Sequence, residues 1–161
     1  MSKPEFVYTT YIETTPEKLW HALTDGDFTE RYWFGYRVTS DWKTGSSFRL
    51  AKQGQLSAEG KVLAFDPPTR LAYSWDSVKT PDERTSRVTF DIEPLGKVVK
   101  LTVTHDGLDE RGETLRNISG GWPMVMASLK SFLETGRELP ADLPSARPRQ
   151  EQCDAQVQLK A

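Results

Sequence analysis

The sequence predicts an α+β domain in which a curved antiparallel sheet of about six to seven strands wraps around one long C-terminal helix. Three observations lead to this prediction. Apolar and polar residues alternate with a spacing of two through the middle of the chain, as they do in half-buried strands. Turn-forming residues separate these segments at short intervals, which is typical of an antiparallel meander. Near the C-terminus the apolar spacing changes to that of an amphipathic helix.

The first elements are a strand over residues 6–13 and a short helix over residues 16–24. The strand is rich in aromatic and β-branched residues. Thr15 can cap the helix, and Pro16 suits its first position because the missing N–H would have no partner there. Residues 28–32 predict a further helical turn, so we expect one or two short helices after the first strand.

The middle of the chain predicts the remaining strands, each built on alternating apolar residues. These are Phe34, Tyr36 and Val38; Phe48 and Leu50; residues 60–65; Leu71, Tyr73 and Trp75; Val88, Phe90 and Ile92; and Val99, Leu101 and Val103. Polar residues stand between them, so the sheet has one apolar face, which a second layer must cover.

The final helix carries the apolar stripe that can cover this face. Its members are Trp122, Val125, Met126, Leu129, Phe132 and Leu133. Gly136 suits the end of the helix. The segment Gly120-Gly121-Trp122-Pro123 marks either the start of the helix or a kink, if residues 112–118 are already helical.

The chain divides into one domain over residues 1–137 and a C-terminal segment over residues 138–161. That segment contains three prolines and few large apolar residues, so it predicts a disordered tail.

Composition narrows the class of function. The 161-residue chain has a net charge of −2, which predicts no binding to nucleic acid or to anionic membranes. We find no apolar run long enough for a membrane span or a signal peptide, and the single cysteine is Cys153, so we expect a cytoplasmic protein. Two histidines and one cysteine without ligand spacing predict no metal site, and the absence of phosphate-binding and dinucleotide motifs predicts no cofactor.

Several short strings, in this order along the chain, resemble one known family. They are residues 16–25 (PEKLWHALTD), 60–63 (GKVL), 67–71 (PPTRL), 73–75 (YSW), 105–108 (HDGL), 120–123 (GGWP) and 129–136 (LKSFLETG). The chain resembles the START-like or SRPBCC helix-grip superfamily. Within it, the chain is similar to the family named after the C-terminal domain of the activator of the 90-kDa heat-shock protein ATPase. The resemblance covers roughly residues 5–137.

The resemblance implies a cavity between the sheet and the long helix, in which relatives bind or process small hydrophobic molecules. Stiff aromatic rings on the inner face suit the wall of such a cavity, although they also suit a filled core. The expected ligand-binding residues are Tyr8, Phe34, Phe48, Leu50, Tyr73, Trp75, Val88, Phe90, Val103, His105, Trp122, Met126 and Leu129.

Three functions remain open at this point. The first is binding of a small hydrophobic molecule as a carrier, sensor or sequestration module. The second is catalysis of the cyclase, hydrolase or isomerase kind, for which His105 is the candidate acid–base group and Tyr73 a candidate donor. The third is a protein-interaction module of the chaperone-activator kind. The resemblance implies that much of the chaperone contact of the family's namesake belongs to a separate N-terminal domain, whereas we expect a single domain here. A homodimer formed through an exposed sheet edge is a further expectation.

Overall fold

The structure is a computed structural model that describes residues 4–140. Most of the predicted tail, with Cys153, lies outside the described residues. The elements in chain order are β1 (Phe6–Ile12), α1 (Pro16–Thr24), α2 (Gly26–Tyr32), β2 (Tyr36–Ser40), β3 (Ser47–Lys52), β4 (Gln55–Asp66), β5 (Arg70–Ser77), β6 (Ser86–Leu95), β7 (Val98–Asp106) and α3 (Glu113–Thr135).

The seven strands form a single antiparallel sheet in the order β1-β7-β6-β5-β4-β3-β2. All neighbours along the chain pair directly, except that β1 pairs with β7 across the domain. Burial alternates residue by residue along β7, as the spacing of two requires. The buried face packs against the helices, which confirms the predicted α+β architecture with a sheet gripping a long C-terminal helix.

The two short helices follow local sequence signals closely. The Thr15 side chain accepts a hydrogen bond from the backbone N–H of Lys18 at 3.2 Å, and Pro16 occupies the first turn of α1. Asp25 ends α1 and caps α2, because its carboxylate accepts from the backbone N–H of Asp27 at 2.8 Å. The predicted helical turn is therefore a seven-residue helix.

The strand expected to start at Phe34 begins two residues later, at Tyr36. Phe34 and Gly35 both have positive φ, of 51° and 92°, which is incompatible with an extended strand. The alternation of Phe34 with Tyr36 and Val38 therefore spans a turn followed by a strand, and Phe34 packs against the core from that turn.

Gly60 in β4 allows the aromatic rings of the two flanking strands to meet. Phe48 of β3 pairs with Gly60, and a side chain at Gly60 would collide with the carbonyl of Ser74 in β5. The rings of Phe48 and Tyr73 stack with centroids 3.8 Å apart and an interplanar angle of 12°. Aromatic rings thus cover the glycine from both sides of β4.

Helix α3 begins at Glu113, so Gly120, Gly121 and Pro123 lie inside it. The sequence allowed either a helix start or a kink at residues 120–123. The segment before Gly120 is already helical, so this stretch is not the start of the helix. Pro123 has no N–H to donate to the carbonyl four residues earlier, which removes one hydrogen bond from the helix. Gly136 ends the helix with φ 81°, and its N–H donates to the Phe132 carbonyl at 2.9 Å.

The chain beyond α3 turns back along the helix over residues 137–140. The Leu139 N–H donates to the Ser128 hydroxyl at 3.1 Å, and Arg31 of α2 pairs with Glu138 at 3.0 Å. No helix within residues 4–140 is both long and apolar enough to cross a membrane.

Candidate ligand-binding site

The predicted ligand-binding residues gather between the inner face of the sheet and α3. Tyr8 lies on β1, Phe34 in the α2–β2 turn, Phe48 and Leu50 on β3, Tyr73 and Trp75 on β5, Val88 and Phe90 on β6, Val103 and His105 on β7, and Trp122, Met126 and Leu129 on α3. All except Tyr8 and Phe34 are buried, with at most 9% of each residue exposed. Tyr8 and Phe34 are half-buried and pack against the same core.

Trp122 of α3 occupies the centre of this group. Its ring centroid lies 5.3 Å from that of Trp33, 5.9 Å from Phe90 and 6.2 Å from Trp75. Trp122 therefore contacts the sheet and the end of α2 at once.

Trp33 is a member of this group that the sequence analysis missed. It follows directly after α2, is 7% exposed and packs against Trp122. The only signal in the sequence is its position after the aromatic residue that ends α2, and that signal does not show which way the side chain faces.

The rings on the sheet form a continuous layer beneath Trp122. Phe48 stacks on Tyr73, Tyr73 lies 5.8 Å from Phe90, and Phe48 lies 6.0 Å from Trp75. The side chains expected to line a cavity thus contact one another across the interface between the sheet and α3.

A chain of hydrogen bonds joins α3 to the sheet at His105. The Trp122 indole N–H donates to Nδ1 of His105 at 3.1 Å, and Nε2 of His105 lies 2.8 Å from the Ser86 hydroxyl. The Ser86 hydroxyl lies 3.2 Å from the Trp75 carbonyl, to which it donates. Because Nδ1 accepts, the neutral ring carries its proton on Nε2 and donates it to Ser86.

His105 is fully buried, and burial lowers its pKa to about 4 although nearby Asp106 acts in the opposite direction. The ring is therefore neutral at pH 7, which the hydrogen bond from Trp122 requires. Asp106 points to the outer face of the sheet, where it forms two hydrogen bonds with the Arg87 guanidinium. Both ring nitrogens of His105 are engaged in hydrogen bonds, and this geometry supports a role in positioning Trp122 against the sheet. Its use as an acid–base group stays a prediction.

The N-terminal end of α3 is held by a residue from the β5–β6 loop. Gly112, at the N-cap, has no side chain that could cap the helix. The Glu83 carboxylate accepts from the backbone N–H groups of Glu113 at 2.6 Å and Thr114 at 3.2 Å, and from the Thr114 hydroxyl. Burial raises the pKa of Glu83, but the hydrogen bonds from Thr114 and Glu113 outweigh it and lower the pKa overall.

A second contact strengthens this junction. Arg84, next to Glu83, pairs with Asp109 of the β7–α3 loop at 2.9 Å, and its backbone N–H donates to the same carboxylate at 3.0 Å. The β5–β6 loop is therefore fastened both to the start of α3 and to the loop before it.

The C-terminal half of α3 is held to β1 and the following turn. Lys130 donates to the Tyr11 carbonyl at 2.6 Å and to Glu134 at 2.6 Å. Glu134 accepts from the backbone N–H of Glu13 at 2.9 Å. The hydrogen bond from Glu13 and the one from Lys130 lower the pKa of Glu134. Between the two ends of the helix, the Trp122–His105 bond is the polar contact that joins α3 to the sheet among the described residues.

Three clefts on the outer face of the sheet, of about 440, 610 and 680 Å3, are lined largely by polar and charged side chains. Most of their lining residues lie on the polar face of the sheet, although Ser86 also lines the second cleft and Phe48 the third. Across residues 4–140, no three His, Cys, Asp or Glu side chains are grouped as metal ligands.

Comparisons with known proteins agree with this architecture. The family model described as Activator of Hsp90 ATPase homolog 1-like protein matches residues 13–134. No curated protein sequence matches the chain.

Among solved structures, CalU16 from Micromonospora echinospora is 25% identical with a TM-score of 0.71, over 96% of this chain and 87% of that protein. An HSP90 activator from Plasmodium falciparum is 24% identical with a TM-score of 0.70, over 80% of this chain and 95% of that protein. The Aha1 dimer from Colwellia psychrerythraea is 20% identical with a TM-score of 0.70, over 83% of this chain and 98% of that protein. At identities below 25%, the last two show likeness of fold alone.

Proposed function

The chain belongs to the family of Activator of Hsp90 ATPase homolog 1-like proteins, and from that premise we propose that it binds a small hydrophobic molecule between the sheet and α3. The observation that carries the proposal is the attachment of α3. The helix is tied by hydrogen bonds at its two ends, and between them it rests on aromatic rings and on a single bond to His105.

The middle of α3 is also its weakest part as a helix. Gly120 and Gly121 each lower helix stability by about 1 kcal/mol relative to alanine, and Pro123 removes one backbone hydrogen bond. A helix fastened at both ends and weak between them can bow away from the sheet. In this proposal the first half of α3 moves with Trp122, and a guest takes its place against the rings of Phe48 and Trp75.

Burial of apolar surface supplies the affinity. Each square ångström of apolar guest surface removed from water contributes about 25 cal/mol, part of which offsets the displacement of Trp122. The aromatic residues left on the sheet are stiff, so they keep the shape of the site when Trp122 moves away.

Titration of the protein's tryptophan fluorescence tests this proposal. Probes are fluorene, fluorenone and palmitic acid, with native mass spectrometry to give the stoichiometry. We expect saturable quenching by at least one probe at one molecule per chain. Trp75→Phe should remove much of the quenching, because the guest lies against that ring. Trp20→Phe should leave the quenching unchanged, since Trp20 packs on Phe65 away from the site. Failure of all three probes to bind would overturn the proposal.

Interaction with a chaperone is a second candidate, favoured by the description of the matching family. It predicts that the purified chain stimulates the ATPase of a 90-kDa heat-shock protein. A large excess of the chain without any stimulation would exclude this function while leaving ligand binding untouched.

Catalysis in the same site also stays a proposal. It requires that His105→Gln abolish turnover of a bound molecule while leaving its binding intact. Pairing of two copies through a sheet edge remains a separate proposal, which sedimentation analysis of the purified protein can decide.

A further inference from the structure

The hydroxyl of Tyr73 has no hydrogen-bond partner within residues 4–140, although Tyr73 is 1% exposed. Buried polar groups in proteins are almost always paired, so an unpaired one calls for an explanation. Thr14 Oγ1 is the fully enclosed side-chain polar atom without a partner among these residues. Because the Tyr73 hydroxyl is unpaired and yet not fully enclosed, it must border the small accessible surface that Tyr73 retains.

Other buried polar side chains in the same core have partners. The Tyr32 hydroxyl donates to the Ala22 carbonyl at 3.0 Å, and the Thr29 hydroxyl accepts from the Val38 N–H at 3.0 Å. Ser86, His105 and Trp122 form the connected chain described above. The Tyr73 hydroxyl therefore differs from these neighbours in having no partner within residues 4–140, and its ring stacks on Phe48 in the aromatic layer.

The Tyr73 hydroxyl keeps its proton at neutral pH and can therefore donate a hydrogen bond. Burial first, and the nearby Tyr32 phenol second, raise the pKa of Tyr73 well above its ordinary value. A neutral phenol surrounded by apolar rings offers one O–H to a group that can accept it.

The surroundings restrict what that acceptor can be. The buried polar residues of the described chain are Thr29, Ser86, His105, Thr114 and Ser128, so no lysine or arginine is buried near Tyr73 to balance an anion. An isolated charge in such an interior is strongly disfavoured. The acceptor must therefore be neutral, as in a ketone, quinone, ester or amide carbonyl.

We propose that the Tyr73 hydroxyl donates a hydrogen bond to a neutral carbonyl oxygen of the bound molecule and thereby selects carbonyl compounds over hydrocarbons of the same shape. This inference rests on the proposed binding function. A site with a buried donor discriminates strongly against a ligand without the acceptor, because the donor is then left unpaired in the complex.

Fluorenone and fluorene test the inference because they share a flat three-ring frame and only fluorenone carries a carbonyl. We expect the wild-type protein to bind fluorenone about tenfold more tightly than fluorene. Tyr73→Phe should remove this preference by weakening fluorenone alone. Tyr32→Phe is the matched control and should keep the preference for fluorenone, since the Tyr32 hydroxyl already donates to the Ala22 carbonyl.

The outcomes separate the two proposals. If both compounds bind equally to the wild type and to Tyr73→Phe, the binding function stands and the role of Tyr73 is excluded. If neither compound binds, the binding function fails and the inference fails with it.

A comparison of ligand-free stabilities tests the unpaired hydroxyl directly. Tyr32→Phe breaks an existing hydrogen bond and should lower the melting temperature by about 2–4 °C. Tyr73→Phe removes a hydroxyl that has no partner, so the melting temperature should stay unchanged or rise. An equal drop in both variants would show that the Tyr73 hydroxyl is already paired, and would overturn the inference.

Discussion

The two halves of α3 differ in almost every interaction that holds a helix in place. The C-terminal half ends in a glycine cap, buries Leu129 and Phe132, and reaches β1 through Lys130 and Glu134. The N-terminal half has no side-chain cap of its own, contains the two glycines, and is followed by Pro123. It is held by Glu83 and Thr80 from a loop about thirty residues earlier, by the Trp122–His105 bond, and by the burial of Ile118 and Trp122.

The difference indicates that the two halves of α3 have different roles. The C-terminal half closes the hydrophobic core and carries the stability of the domain. The N-terminal half covers the aromatic layer through Trp122, and in the proposed function it is this half that moves. Regions with the lowest local stability are the ones that can open while the rest of a protein stays folded.

Truncation of one leucine in each half of α3 should give the largest difference in stability. Leu129→Ala removes a fully buried side chain and should lower the free energy of unfolding by about 4 kcal/mol. Leu115→Ala, in the N-terminal half, removes a half-buried side chain and should cost about 1 kcal/mol. Urea unfolding at neutral pH measures both. Equal costs would contradict the division of α3 into a core half and a covering half.

Acid should weaken the bond that joins Trp122 to the sheet. Burial lowers the pKa of His105 to about 4, with Asp106 opposing the shift, whereas an unfolded histidine titrates near 6.5. The unfolded state therefore binds more protons between these values. The contribution of His105 to the free energy of unfolding is fully present above pH 6.5. It falls by about 3 kcal/mol as the pH drops to about 4.

His105→Gln should flatten the pH dependence of stability in this window, because glutamine can donate and accept without titrating. Urea unfolding at several pH values between 4 and 7 makes the measurement. If His105→Gln leaves the slope unchanged, another group controls it.

Removing the cap on the N-terminal half should have a smaller effect. Glu83→Ala leaves the first N–H groups of α3 without their acceptor and should lower the free energy of unfolding by about 1 kcal/mol. Glu59→Ala is a control, because its exposed pairing with Arg49 is 3.9 Å long and should contribute little. Similar costs for the two variants would mean that Glu83 does not fasten the helix.

Exchanging glycine and alanine in the two halves of α3 should give the smallest changes in stability, but the most specific test of bowing. A Cβ at Gly121 would touch nothing within 4 Å, so Gly121→Ala should stabilise the helix by about 0.5–1 kcal/mol. It should also weaken guest binding, because a stiffer helix bows less easily. Ala127→Gly should destabilise by a similar amount in the C-terminal half without strengthening binding. Tighter binding by Gly121→Ala would contradict the bowing of α3.

Local sequence signals account for much of the fold. Thr15 and Pro16 predict the start of α1 at the residue where it is found, because the cap and the first turn are adjacent in the chain. The alternation of apolar residues predicts the strands from Leu71 to Val103. It fails at Phe34, where two residues with positive φ break the strand, and residue spacing alone does not reveal backbone angles of that kind.

The features that the sequence did not predict depend on distant contacts. The start of α3 is set by Glu83, which is far from Gly112 in the chain, so no local capping signal marks it. Ser86 joins the site through His105, and Trp33 through Trp122. Periodicity identifies which face of an element is buried, but it cannot show which buried residues meet.

Hydrogen exchange of the amides in α3 tests the central claim most directly. Mass spectrometry of peptides from the two halves, with and without bound fluorenone, gives the opening free energy of each. We expect residues 113–122 to exchange through a local opening well below the global free energy of unfolding, residues 124–135 to exchange only with global unfolding, and fluorenone to change exchange in the first half alone. Equal protection of both halves, close to the global value, would contradict a helix whose first half moves with Trp122 to admit a guest.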